Sequence, residues 1–162
     1  MQPAFLLDVL QKCKMLDIHT AVETCGWANM KTIQRVLPFT DLFLFDLKII
    51  DPELHLTFTG KPVRPVLENL AFLASGKADI MIRFPLIPGI TDTLKNLEGV
   101  ANIMINNNLR RICIEPYHTL GREKYEEHGM NYRLDHLSQY NPKDIKAFSD
   151  FFLEKGFLCE VI

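Results

Sequence analysis

Several polar side chains in this sequence stand where an apolar run ends: Glu23-Thr24-Cys25-Gly26, Asp46-Leu47-Lys48, Arg83, and Pro116-Tyr117-His118. Asp46 and Lys48 are two apart, so on a strand both face the same side. There they form either a pair of opposite charges for a cofactor's carboxylate and neighbouring polar groups, or an ordinary strand-end ion pair. Arg83 lies inside Ile80-Met81-Ile82-Arg83-Phe84-Pro85, where a charge is costly without a partner. Its guanidinium requires an acid or a ligand oxygen, and forks well onto a carboxylate or ribose oxygens. Glu23 offers a carboxylate to a cation or to ribose hydroxyls, beside a glycine that permits close backbone approach. His118 is a lone histidine, with a structural capping role as the plain alternative. Cys25 is the cysteine nearest these groups; a reactive thiol there needs a positive neighbour such as Lys48, and an inert one is the alternative. His19, His55, His128 and His136 show no mutual metal-ligand spacing.

The elements that would position these groups alternate. Apolar residues recur at helical spacing from Phe5 to Met15, with Pro3 in a first turn. Ile18 to Thr24 reads as a strand, Met30 to Val36 as a short helix stopped by Pro38, and Asp41 to Leu47 as a strand covered on both faces. Asp51-Pro52-Glu53 starts a helix, and Val63 to Ser75 predicts another, ending at Gly76. Asp79 to Leu86 is the next strand, Thr93 to Asn106 a helix, and Arg111 to Glu115 a fourth strand. A helix opens at Asn141-Pro142, and Phe157 to Val161 supplies a terminal strand. Such alternation implies right-handed βαβ crossovers and a parallel sheet, whose strands end together at one mouth. The polar stretch from Thr119 to Asn141 is long for a connection; it is a lid or docking surface, or else a short surface helix with paired charges.

The 162 residues are enough for one α/β domain spanning 1–162. Hydrophobic residues make up 48% and charged residues 23%, with a formal net charge of −2. That balance has no basic field for a phosphate backbone, so nucleic acid is not an expected partner. No apolar run reaches the roughly 20 residues that cross a bilayer, and the amino terminus lacks a signal-peptide pattern, so the expected location is cytoplasmic, off the membrane. The four cysteines are scattered and form no CxxC pair, which argues for reduced thiols.

Together the motifs resemble the activating enzymes of glycyl radical enzymes, in the radical S-adenosylmethionine superfamily, of the pyruvate formate-lyase activating type. The resemblance rests on His19-Thr20-Ala21-Val22-Glu23-Thr24-Cys25-Gly26, on Thr40-Asp41-Leu42-Phe43-Leu44-Phe45-Asp46-Leu47-Lys48, on His55 with Thr59-Gly60, on Ile82-Arg83 with Ile87-Pro88-Gly89, and on Pro116-Tyr117-His118-Thr119-Leu120-Gly121. It implies a partial (β/α) barrel, with about four parallel β/α units of a half-to-three-quarter radical S-adenosylmethionine barrel in this chain. It puts Glu23, Asp46, Lys48, Arg83 and His118 around S-adenosylmethionine, with a monovalent cation near Glu23 and Asp46. Glu23 stands where the type member has aspartate, and Cys25 where it has asparagine. The implied partners are a glycyl radical enzyme and an electron donor such as flavodoxin or ferredoxin.

The family's CxxxCxxC ligands for a [4Fe–4S] cluster, and its GGE segment, do not occur in these residues. Met1-Gln2-Pro3 resembles the residues just after that segment. The cluster supplies the electron for cofactor cleavage, and it needs thiolates at suitable positions. The expectation is therefore the carboxyl-terminal part of an activating enzyme, inactive by itself, with the cluster belonging to the intact protein. A noncatalytic module that binds an S-adenosyl ligand or a partner is the alternative. An aldolase-like use of Lys48 as a Schiff-base amine demands a depressed pKa, which the neighbouring Asp46 opposes.

Overall fold

The computed structural model describes residues 2–162, and Met1 lies outside the described residues. Helix α1 (Pro3–Met15) has proline in its first turn. It is followed by β1 (Ala21–Thr24), α2 (Met30–Val36) and β2 (Leu42–Asp46). Two helices, α3 (Pro52–Thr59) and α4 (Arg64–Ser75), lead to β3 (Ile80–Leu86); then come α5 (Leu94–Asn106), β4 (Arg111–Pro116), α6 (Arg122–Glu127), α7 (Pro142–Glu154) and β5 (Leu158–Val161). Side chains set the starts: Asp51 accepts from Glu53 and Leu54 N–H, Thr93 from Asn96, and Asn141 from Lys143 and Asp144.

All five strands are parallel and lie in sequence order, β1-β2-β3-β4-β5. An unreversed order with crossovers of one hand puts the helices on one face, the arrangement of a partial barrel. The burial alternation agrees. Phe43, Phe45, Ile80, Ile82, Phe84, Leu86, Ile112 and Ile114 are buried in one core with Leu70 and Leu73 of α4, Val100 and Met104 of α5, and Phe152 of α7. Leu42, Leu44, Asp46, Met81, Arg83 and Pro85, one residue out of phase, are only half-buried. Side chains on a strand alternate, so these positions form the opposite, open face. Among the described residues no helix is long and apolar enough to cross a membrane.

The first strand is shorter than its apolar run. Ile18 is exposed, and its N–H closes the end of α1 by bonding Cys13 O at 2.9 Å, just after Asp17 takes a positive φ of 53°. Thr20 gives its N–H to the Asp41 carboxylate at 2.8 Å, so the ladder begins only at Ala21. The stretch after β4 contains the short charged helix α6, in which Arg122 pairs with Glu126 at 3.0 Å. It is tied back by Tyr117, whose hydroxyl donates to Leu134 O and accepts from Tyr132, each at 3.0 Å. Burial, helped by that bond to Tyr117, pushes the Tyr132 phenol up to about 12.

Candidate functional site

Parallel register places the polar residues. Asp46 is the Cα partner of Arg83, Arg83 of Cys113, Glu23 of Leu44, and Glu115 of Pro85. All these side chains fall on the open face toward the carboxyl ends of the strands. Arg83, on the central strand, is the hub. Its Nη1 donates to Glu23 Oε2 at 2.6 Å, reaching across β2, and its Nε donates to Glu115 Oε1 on β4. Lys48 Nζ lies 3.2 Å from Asp46 Oδ2, so the predicted same-side pair exists. The Glu115 carboxylate raises Arg83 above its ordinary pKa against the opposing effect of burial, so the guanidinium stays charged.

The contacts are not equally secure. Side-chain exposure is 20% for Arg83 and 23% for Glu115, but 61% for Glu23. The Glu23–Arg83 contact is therefore water-screened and is the easier one for a ligand to displace. Glu115 was not among the residues singled out from the sequence. The available signal was its parity, because Arg111, Cys113 and Glu115 alternate onto the face that Arg83 occupies. His118 is not brought into the cluster. It lies beyond β4, is exposed, and makes none of the ion pairs or hydrogen bonds found among the described residues. Cys25 is also exposed.

Buried amides position the strand ends. Asn69 of α4 donates to Gly26 O at 2.7 Å and Ala28 O at 2.9 Å, pressing the turn after β1 onto Phe45. Gly26 has φ of 69°, and a Cβ there would lie 2.2 Å from the Phe45 ring, so both backbone and space demand glycine. Asn96 of α5 accepts from Ile50 N and donates to Lys48 O and Thr91 O, each at 2.9 Å. This one side chain joins the loop that carries Lys48 to the loop after β3. His55, part of the family pattern, is buried in α3 with Nδ1 2.8 Å from Lys61 O. That contact holds the turn whose Lys61 ammonium sits 4.3 Å from the Trp27 ring centre.

The open face thus presents two cations, Lys48 and Arg83, among three carboxylates, Glu23, Asp46 and Glu115. Such a set can hold a zwitterion, with its carboxylate on the cations and its ammonium or hydroxyls on the acids. S-Adenosylmethionine has these groups, so the residues fit it. They do not fit an iron–sulfur cluster: Cys13 is in α1, Cys25 follows β1, Cys113 is buried in β4 and Cys159 lies in β5. Among the described residues no group of three or more histidine, cysteine or acidic side chains could hold a metal ion.

No family model matches the chain. It is 33% identical over 159 residues to the trans-4-hydroxy-L-proline dehydratase activating enzyme of Clostridioides difficile, covering 97% of this chain and 53% of that protein. It is 33% identical to the pyruvate formate-lyase-activating enzyme of Clostridium pasteurianum, over 95% of this chain and 65% of that protein. The chain therefore spans about half to two-thirds of the length of these curated relatives. Among solved structures, a domain of the pyruvate-formate lyase-activating enzyme from Bacteroides vulgatus superposes with a TM-score of 0.82 at 26% identity, covering 99% of this chain and 91% of that one.

Proposed function

With a chain related over nearly all its length to glycyl radical enzyme activating enzymes, and folded as a radical S-adenosylmethionine partial barrel, we propose that its residues form the carboxyl-terminal β/α units of such an enzyme, as one domain over 1–162. The observation that carries this is the Arg83-centred cluster at the strand ends, in a chain similar over nearly all its length to proteins named as activating enzymes.

In this reading Lys48 and Arg83 take the carboxylate of S-adenosylmethionine, while Glu23, Asp46 and Glu115 take its ammonium and ribose hydroxyls. His118 reaches the same ligand from beyond β4, and a monovalent cation belongs beside Glu23 and Asp46. Glu23 gives up its exposed contact with Arg83 when the ligand enters. Arg83, still held by Glu115, keeps its orientation. When bound, the cofactor supplies a sulfonium whose one-electron cleavage begins hydrogen abstraction from a glycine of the partner, a glycyl radical enzyme. The [4Fe–4S] cluster and the contact with flavodoxin or ferredoxin belong to the intact enzyme, which works in the cytoplasm, where thiols such as the four free cysteines stay reduced. The scattered cysteines support the proposal that these residues alone do not cleave the cofactor.

The test is anaerobic incubation of the chain with ferrous iron, sulfide, dithionite and S-adenosylmethionine. No 5′-deoxyadenosine is expected above a protein-free control. Its enzyme-dependent appearance would overturn the proposal that the chain is inactive by itself.

A further inference from the structure

Beside the strand-end cluster lies a cavity of about 640 Å³, bounded by the end of β2, the end of α3, the 87–91 loop and the segment 125–137. Its volume is in the range of small-molecule sites. Its lining has a consistent sign: Lys48 and Arg133 are cations, His136 is nearby, and no aspartate or glutamate contributes. The chain as a whole carries a net charge of −2, so this sign runs against the average. Of the two cations, Lys48 is already paired with Asp46, whereas Asp135, two residues from Arg133, is held by Arg122 at 2.9 Å. Arg133 takes part in no ion pair among the described residues. The remaining walls are largely apolar or aromatic, with Phe58, Tyr125, Leu134 and Leu137 among them.

We propose that this cavity binds a small organic carboxylate with an apolar, ring-sized body, its carboxylate on the Arg133 fork and its body against Phe58 and Leu137. A planar guanidinium without an internal acid is suited to a bidentate carboxylate, and the apolar walls give the body a place out of water. The cavity shares Lys48 with the cofactor assignment, but Arg133, Phe58 and Leu137, on which the proposal rests, have no part in that assignment.

Phenylacetate and its uncharged counterpart phenylacetamide are titrated into the whole chain, with affinity read by calorimetry and the binding place by amide chemical shifts. Phenylacetate should bind with a Kd on the order of millimolar, as expected for so few atoms, and should shift residues 58 and 131–137. Phenylacetamide and the Arg133→Gln variant should each lose about tenfold or more, the cost of one charge-assisted contact. Leu137→Trp, which keeps the charge and fills the space, should block both compounds. Arg133 is exposed, so its replacement should leave the fold intact, checked by an unchanged Tm. Equal affinity for acid and amide, an unchanged Kd in Arg133→Gln, or no phenylacetate shifts in the cavity at about ten times the expected Kd would overturn the proposal.

Discussion

At the residue scale, the site depends on one arginine and on one glycine that has no substitute. Arg83 and Glu115 are partly buried partners, so neutralising Glu115 leaves Arg83 with only its water-screened contact to Glu23. Glu115→Gln should cost about 1–3 kcal/mol in urea unfolding. Glu23→Gln, at an exposed contact, should cost less than about 1 kcal/mol. Gly26→Ala adds a left-handed strain to a clash with the fully buried Phe45 ring. It should destabilise by about 2–5 kcal/mol, seen as a lower urea midpoint with an unchanged slope. The sequence made Arg83's need for an acid legible, because a charge among apolar strand residues must be compensated. It did not make legible which acid, since Glu115 stands next to a more conspicuous Pro116-Tyr117-His118 motif and its face is settled only by register with β3. His118 shows the converse: the motif drew attention to a side chain that β4, ending at Pro116, leaves outside the cluster.

At the element scale, strands and helices were readable because apolar runs and caps coincide. Asp51-Pro52 and Asn141-Pro142 both open helices where expected. The error in β1 has a local cause. Ile18 to Thr20 look like strand residues, but their backbone groups are taken by the end of α1 and by Asp41. Asp41 accepts from Thr20 N–H and hydroxyl and from Lys14, and the Thr20 backbone bond, with the Lys14 and Thr20 side-chain bonds, lowers its pKa from 3.8 to about 2. A carboxyl with a depressed folded pKa contributes stability that is present above its unfolded value and lost as pH falls. Asp41→Asn should therefore lower Tm at neutral pH, and its difference from the parent should shrink as pH falls from about 4 to about 2. A constant difference across that window would contradict the assignment. Asn96 serves two loops at once, and its role was illegible because a polar residue on a helix reads as surface. Asn96→Leu leaves the Lys48, Ile50 and Thr91 backbone groups unpaired and should cost about 2–4 kcal/mol by urea unfolding.

At the scale of the whole molecule, the sequential parallel sheet leaves one face to helices and the other open, and the strand ends bring residues 23, 46, 48, 83 and 115 to one place. The fold and the likeness to activating enzymes were accessible from motif order because most of the motifs sit at strand ends, with His55 and Thr59-Gly60 in α3 and at its end. The ion-pair pattern was not, because it depends on side chains crossing a strand. The most direct measurement is a titration of the chain with S-adenosylhomocysteine, which keeps the amino-acid and ribose groups, followed by amide chemical shifts and repeated with Lys48→Met and Arg83→Met variants checked for folding. The account predicts shifts concentrated at Glu23, Asp46, Lys48, Arg83, Glu115 and His118, and a Kd raised about tenfold or more in each folded variant. Shifts elsewhere on the molecule, or an affinity indifferent to both substitutions, would contradict it.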